Sequence, residues 1–104
     1  IWASWCAPCK VEHPYLINLN DKFDINLIGI NYKDNLDNSK KFLSDLGNPY
    51  DEVLMDNDGT KSIELGAIGV PETYLINSNK KIIKKFIGPL DQEDYDNIIN
   101  LIKK

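Results

Sequence analysis

Apolar residues along the chain follow helical and strand-like rhythms in turn. From Cys6 onward, Val11, Tyr15, Leu16 and Leu19 recur on one side at helical spacing, which predicts a helix reaching about Lys22. Pro8 suits the first turn, where its missing N–H is no loss, and Pro14 falls inside, where it predicts a kink. Residues 1–4 read as the end of a buried strand, so this helix opens at a strand-to-helix junction. The apolar run at residues 26–32 predicts a central parallel strand, followed by a helix capped by Asp37 or Asn38. Phe42, Leu43 and Leu46 form that helix's apolar side, and Gly47 with Pro49 stops it. Residues 52–55 predict a short strand, Asp56-Asn57-Asp58-Gly59 a turn, and residues 60–65 a brief helix ended by Gly66. Two further strands at 73–76 and 81–87 are joined by Asn77-Ser78-Asn79. A last helix at 91–102 turns Tyr95, Ile98, Ile99 and Ile102 inward. Strand–helix alternation ending in a hairpin predicts an α/β fold: a central mixed sheet with one antiparallel edge and helices on both faces.

Composition narrows the function classes. The 104 residues suit one domain spanning 1–104, with a single core and a single site. A net charge of -4 argues against nucleic acid, which would call for a clustered basic face. Lys80, Lys81, Lys84 and Lys85 do cluster, but their alternation with Ile82, Ile83 and Phe86 reads as the solvated side of a strand. No stretch approaches the roughly 18 apolar residues of a membrane helix. Because the chain opens on Ile1-Trp2-Ala3, we expect an incomplete first strand and a missing N-terminal segment.

The chemistry concentrates in Cys6-Ala7-Pro8-Cys9. A cysteine at a helix N-terminus faces unpaired N–H groups and the positive end of the helix dipole, so its thiol ionises readily. Cys6 is therefore expected to be the exposed attacking thiolate, and Cys9, one turn on, the buried resolving thiol. The same spacing also occurs in zinc sites and structural disulfides. Zinc would need Cys6, Cys9, His13 and a carboxylate such as Glu12, all from one helical stretch, while a disulfide across so short a loop constrains the unfolded chain little. A Cu(I) chaperone using Cys6, Cys9 and His13 is a further alternative. Trp2 reads as core, and Trp5, directly before the sulfur, as a flat apolar contact for a partner polypeptide. Glu12 lies three residues beyond Cys9 and so shares its side of the helix, where it can relay a proton or simply face solvent. His13 reads as packing or solvent contact, and the Val70–Pro71 bond would by base rate be trans.

Trp2-Ala3-Ser4-Trp5-Cys6-Ala7-Pro8-Cys9 resembles the active-site signature of thioredoxin-like proteins of the extracytoplasmic reductase type. Four motifs sharpen this: residues 6–13, Asn31-Tyr32-Lys33-Asp34, Leu46-Gly47-Asn48-Pro49-Tyr50 and residues 69–76 together resemble the cytochrome c maturation thiol:disulfide interchange family (DsbE or CcmG). The resemblance implies a thioredoxin-like fold in which residues 34–56 hold an extra helix and strand. It implies Cys6 as nucleophile, Cys9 as resolving thiol, and Pro71 as a cis-proline whose neighbouring backbone at Val70 pairs with a substrate strand. Glu12 and Glu72 would be the acidic residues of the site. No cofactor and no metal is implied. The implied partners are apocytochrome c, other cytochrome c maturation proteins and a membrane thiol–disulfide electron donor. The implied location is the periplasmic side of the inner membrane, reached through an N-terminal anchor absent from this chain. A relative with the same chemistry but a general or copper-assembly client fits the same motifs.

Overall fold

The structure, a computed structural model, describes residues 1–103. Among them the elements follow in the order α1 (Ala7–Lys22), β1 (Ile28–Tyr32), α2 (Leu36–Leu46), β2 (Glu52–Asp56), α3 (Thr60–Glu64), β3 (Glu72–Ile76), β4 (Ile82–Ile87) and α4 (Gln92–Ile102). This is the predicted succession, with boundaries moved by one or two residues.

The expected central sheet is present in two halves. Strand β1 lies parallel to β2, with Ile30 opposite Leu54, and β3 lies antiparallel to β4, with Thr73 opposite Phe86. Residues 1–3 run between the halves. The Trp2 N–H donates to the Ile30 carbonyl at 2.9 Å and the Tyr32 N–H to the Trp2 carbonyl at 2.8 Å. On the other side Ile1 and Glu72 exchange both backbone bonds, at 2.7 and 3.2 Å. The bonded order is therefore β2, β1, residues 1–3, β3, β4. A connecting ribbon of three residues makes a bridge rather than a strand, which is why the ladder divides there.

Two helix ends depart from expectation in an instructive way. Asn35, not Asp37 or Asn38, caps α2: its side chain accepts the Asn38 N–H at 2.8 Å. On α1 the buried residues are Cys9, Glu12, His13, Leu16 and Leu19, spaced three and four apart along one stripe. Val11, expected inside, is exposed, because that stripe is completed by two polar residues instead.

The core forms two clusters. Leu16 and Leu19 of α1 meet Phe86, Leu90, Tyr95 and Ile98, while Trp2, Ala3, Cys6, Cys9 and Phe42 gather around the cysteines. Trp2 stacks on Tyr50 at 5.5 Å between ring centroids and tilts against Phe42 at 5.0 Å. Gly29 makes this packing possible: a Cβ there would lie 2.7 Å from the Tyr50 ring and 2.8 Å from the Trp2 indole nitrogen.

Candidate active site

Cys6 is the N-cap of α1. Its extended backbone lets Sγ accept the Cys9 N–H at 3.3 Å, using one of the helix's unpaired donors, while Pro8 in the first turn has none to lose. Cys6 and Cys9 are joined as a disulfide, with their Cα atoms 5.3 Å apart. Cys9 is 1% exposed, as its place one turn into the helix predicts. Cys6 is only 4% exposed, not the open sulfur expected, because in the disulfide its Sγ is turned onto Cys9 and the first turn.

Two loops frame the sulfurs. Asp34, just after β1, accepts the Ser4 N–H at 2.7 Å, the Ser4 hydroxyl at 2.8 Å, the Asn35 N–H at 2.9 Å and Asn31 Nδ2 at 3.1 Å. Burial pushes its carboxyl up, but these donors outweigh burial and hold it below the ordinary carboxylate range. One residue earlier Lys33 adopts a left-handed backbone, φ 45°, and its carbonyl receives the Trp5 indole N–H at 3.0 Å. The ring of Trp5 is thereby tethered at its polar edge while 58% of the residue stays exposed beside Cys6. Neither Lys33 nor Asp34 was singled out from the sequence; the one signal was their place in the motif after the apolar strand.

The second loop precedes β3. The Val70–Pro71 bond is cis, Pro71 is buried, and Val70 packs against the cluster containing Cys6 and Cys9. Among the described residues the Val70 N–H and C=O have no hydrogen-bond partner, whereas the Pro71 carbonyl is taken by the Gly88 N–H at 3.0 Å.

The two glutamates sit in opposite environments. Glu12 is 2% exposed and Glu72 1%. Glu12 Oε1 accepts one bond, from the Leu90 N–H at 3.2 Å. Burial raises its carboxyl to about 7, against smaller opposing effects from that N–H and the Ile1 amino group. Glu72 accepts the N–H groups of Ile68 and Gly69, the Tyr74 hydroxyl at 3.1 Å, and Lys85 Nζ at 3.3 Å. Burial pushes the Glu72 carboxyl up, but these contacts prevail and keep it below its ordinary value. Glu12 can thus exchange a proton near neutrality, and Glu72 stays an anion that holds its loop.

His13 is buried, with Nε2 2.7 Å from the Gly47 carbonyl oxygen and its ring edge-on to Phe42 at 5.0 Å. This is the packing role anticipated for it. Among the described residues no three His, Cys, Asp or Glu side chains are grouped to hold a metal, and no helix is long and apolar enough to cross a membrane.

A helix-capping disulfide set against a cis-proline on a mixed sheet defines a thioredoxin-like site. The redoxin family pattern matches residues 1–99, and the chain belongs to that family. It is 44% identical over 89 residues to the thiol:disulfide interchange protein CycY of Rhizobium leguminosarum bv. viciae, covering 86% of this chain and 48% of that one. With the thiol:disulfide interchange protein DsbE of Vibrio cholerae serotype O1 it shares 41% over 95 residues, 91% of this chain and 51% of the relative. The chain spans about half the length of these curated relatives. The fold matches the crystal structure of a DsbE from Chlorobium tepidum at TM-score 0.84 and 25% identity, covering 98% of this chain and 73% of that one. A Bacteroides vulgatus thioredoxin domain shares the fold at TM-score 0.81 and 21% identity, covering 97% and 74%.

Proposed function

We propose that this chain is a thiol–disulfide oxidoreductase domain acting as an extracytoplasmic reductant in cytochrome c maturation. The observation that carries the reading is the Cys6–Cys9 disulfide closed over the first turn of α1, with Cys6 as the cap. Once the pair is reduced, the helix N-terminus favours the Cys6 thiolate. That thiolate attacks one sulfur of a partner disulfide, forming a mixed disulfide and expelling the partner's first thiolate. Cys9 then loses its proton and attacks Cys6 Sγ. The partner leaves with its second thiolate, two electrons have passed to it, and Cys6–Cys9 is oxidised again.

Glu12 supplies the proton step. It lies on the same buried stripe as Cys9, one turn along, and its carboxyl titrates near 7, so it can take the Cys9 proton as the bond to Cys6 forms. When ionised it disfavours a neighbouring thiolate, which destabilises the reduced form and biases the pair toward giving electrons. The partner's extended chain adds its backbone to the unpaired N–H and C=O of Val70 and rests on the exposed face of Trp5. Glu72 keeps the Val70–Pro71 loop in place for it.

The four-motif resemblance to the cytochrome c maturation interchange family supports an apocytochrome c disulfide, or a maturation protein holding it, as client, and the identity to thiol:disulfide interchange proteins supports the chemistry. The same resemblance supports a membrane thiol–disulfide protein as electron source, and a periplasmic location secured by an N-terminal anchor. The test is a trapping experiment with a Cys9→Ser variant and an oxidised peptide carrying C-x-x-C-H. A stable mixed disulfide through Cys6, formed faster than with an unrelated disulfide protein, is expected. Equal rates with both would make the domain a general reductase, and absence of any adduct would overturn the oxidoreductase reading.

A further inference from the structure

The segment between α3 and β3 ends on Val70, which packs against the cluster holding Cys6 and Cys9, but is sparsely held before it. A Cβ built on Gly66 or Gly69 meets nothing within 4 Å, so packing does not confine the backbone there, and Ile68 is 80% exposed. Beyond Ala67, whose N–H reaches the Ser62 carbonyl at 3.0 Å, the loop before Val70 hangs on Glu72 Oε2, through the N–H groups of Ile68 at 2.7 Å and Gly69 at 3.0 Å. The other carboxylate oxygen, Oε1, accepts the Tyr74 hydroxyl and lies 3.3 Å from Lys85 Nζ. That ammonium also donates to the Gly66 carbonyl at 2.8 Å and stands 5.4 Å over the Tyr74 ring. Lys85 reaches both because it sits opposite Tyr74 in the β3–β4 register. Among the described residues the other lysines of this hairpin, Lys80, Lys81 and Lys84, form no ion pair.

We propose that Lys85 is a positioning residue for partner recognition: by bridging the Gly66 carbonyl to the Glu72 carboxylate, it clips the loop that presents the Val70 backbone to a polypeptide disulfide. A buried carboxylate with its charge matched keeps both N–H contacts, and a loop ordered in advance binds an extended chain at lower entropic cost. Lys85 touches neither cysteine, so its effect falls on polypeptide affinity and not on the thiol chemistry. The inference rests on the oxidoreductase reading above.

The test compares Lys85→Met and Lys85→Arg with the unaltered chain. The Met variant is expected to raise KM for the oxidised C-x-x-C-H peptide about fivefold, the size expected for one half-exposed charge-assisted hydrogen bond. Its kcat, its equilibrium reduction potential and its reduction by dithiothreitol stay unchanged, amide exchange at Ile68 and Gly69 speeds up, and the Arg variant recovers most of the loss. An unchanged KM, unchanged exchange at those two amides, or a potential that moves together with KM overturns the proposal. If the unaltered chain does not reduce the peptide, the proposed client fails on that result alone, and the exchange measurement, which needs no turnover, still decides whether Lys85 orders the loop.

Discussion

Replacing Glu12 by Gln isolates the charge that the structure buries deepest in the helix stripe. Gln keeps the side-chain volume and an oxygen for the Leu90 N–H, removes the ionisation and brings in an amide NH2. In the unaltered protein the Glu12 carboxyl rises from an ordinary 4.5 to about 7, chiefly through burial. A carboxyl raised in the folded state binds more protons there than in the unfolded chain between those two values. Stability is therefore lost as pH rises through that window, by about 3 kcal/mol in all. The Gln variant pays a pH-independent cost for an extra buried amide N–H, about 1–3 kcal/mol, and lacks the Glu12 slope, keeping only what the Ile1 amino group, its pKa lowered by burial, contributes to both proteins. Urea unfolding with the disulfide intact, followed from pH 5 to pH 8, measures both proteins. The difference between them should swing toward the variant by about 3 kcal/mol across the range, roughly 2 M in midpoint for a chain of this size. Asp34, Asp56 and Glu72, held below the ordinary carboxylate range, contribute stability that is lost only as pH falls into the acid, so they leave this window flat. Parallel curves, with a constant offset from pH 5 to pH 8, would refute the buried-charge reasoning.

Two further substitutions test the frame around the sulfurs. Asp34→Ala leaves the Ser4 and Asn35 N–H groups without their acceptor and should cost about 2 kcal/mol in chemical denaturation, with a shift in Trp5 emission; a loss below about 0.5 kcal/mol would contradict the bracket. Gly29→Ala drives a methyl into the Tyr50 ring and the Trp2 indole and should cost about 2 kcal/mol by the same assay, whereas a neutral result would mean the Trp2–Tyr50 stack is looser than described.

Most elements were legible because local rules and tertiary demands agree. Gly47 adopts φ 96° where the sequence stops α2, Asp91 caps α4 with a reciprocal bond from Asp94, and Pro8 falls in the first turn of α1. The apolar pattern failed where polar residues are buried. Glu12 and His13 occupy the inner stripe of α1, so counting apolar residues placed Val11 inside instead. The sequence pattern puts Asp56 in a turn, yet it ends β2 buried, accepting the Ser62 N–H and hydroxyl and the Lys61 N–H. Such residues are stabilised by hydrogen-bond partners far away in sequence or on the next helix, and no periodicity encodes those partners. The Cys6–Cys9 spacing marks the sulfurs, but the contacts that hold their surroundings run from Asp34 to Ser4 and from Lys85 to Gly66 and Glu72. Each appears only once the chain is folded.

The equilibrium reduction potential of the Cys6/Cys9 pair against a dithiothreitol or glutathione series bears most directly on the proposed direction of electron flow. A buried acid on the stripe of the resolving thiol disfavours a thiolate there and so destabilises the reduced pair against the pull of the helix N-terminus on Cys6, which predicts a value toward the thioredoxin end of the scale, about -200 mV or lower. A value near -120 mV, where strong oxidants lie, would contradict a reductant.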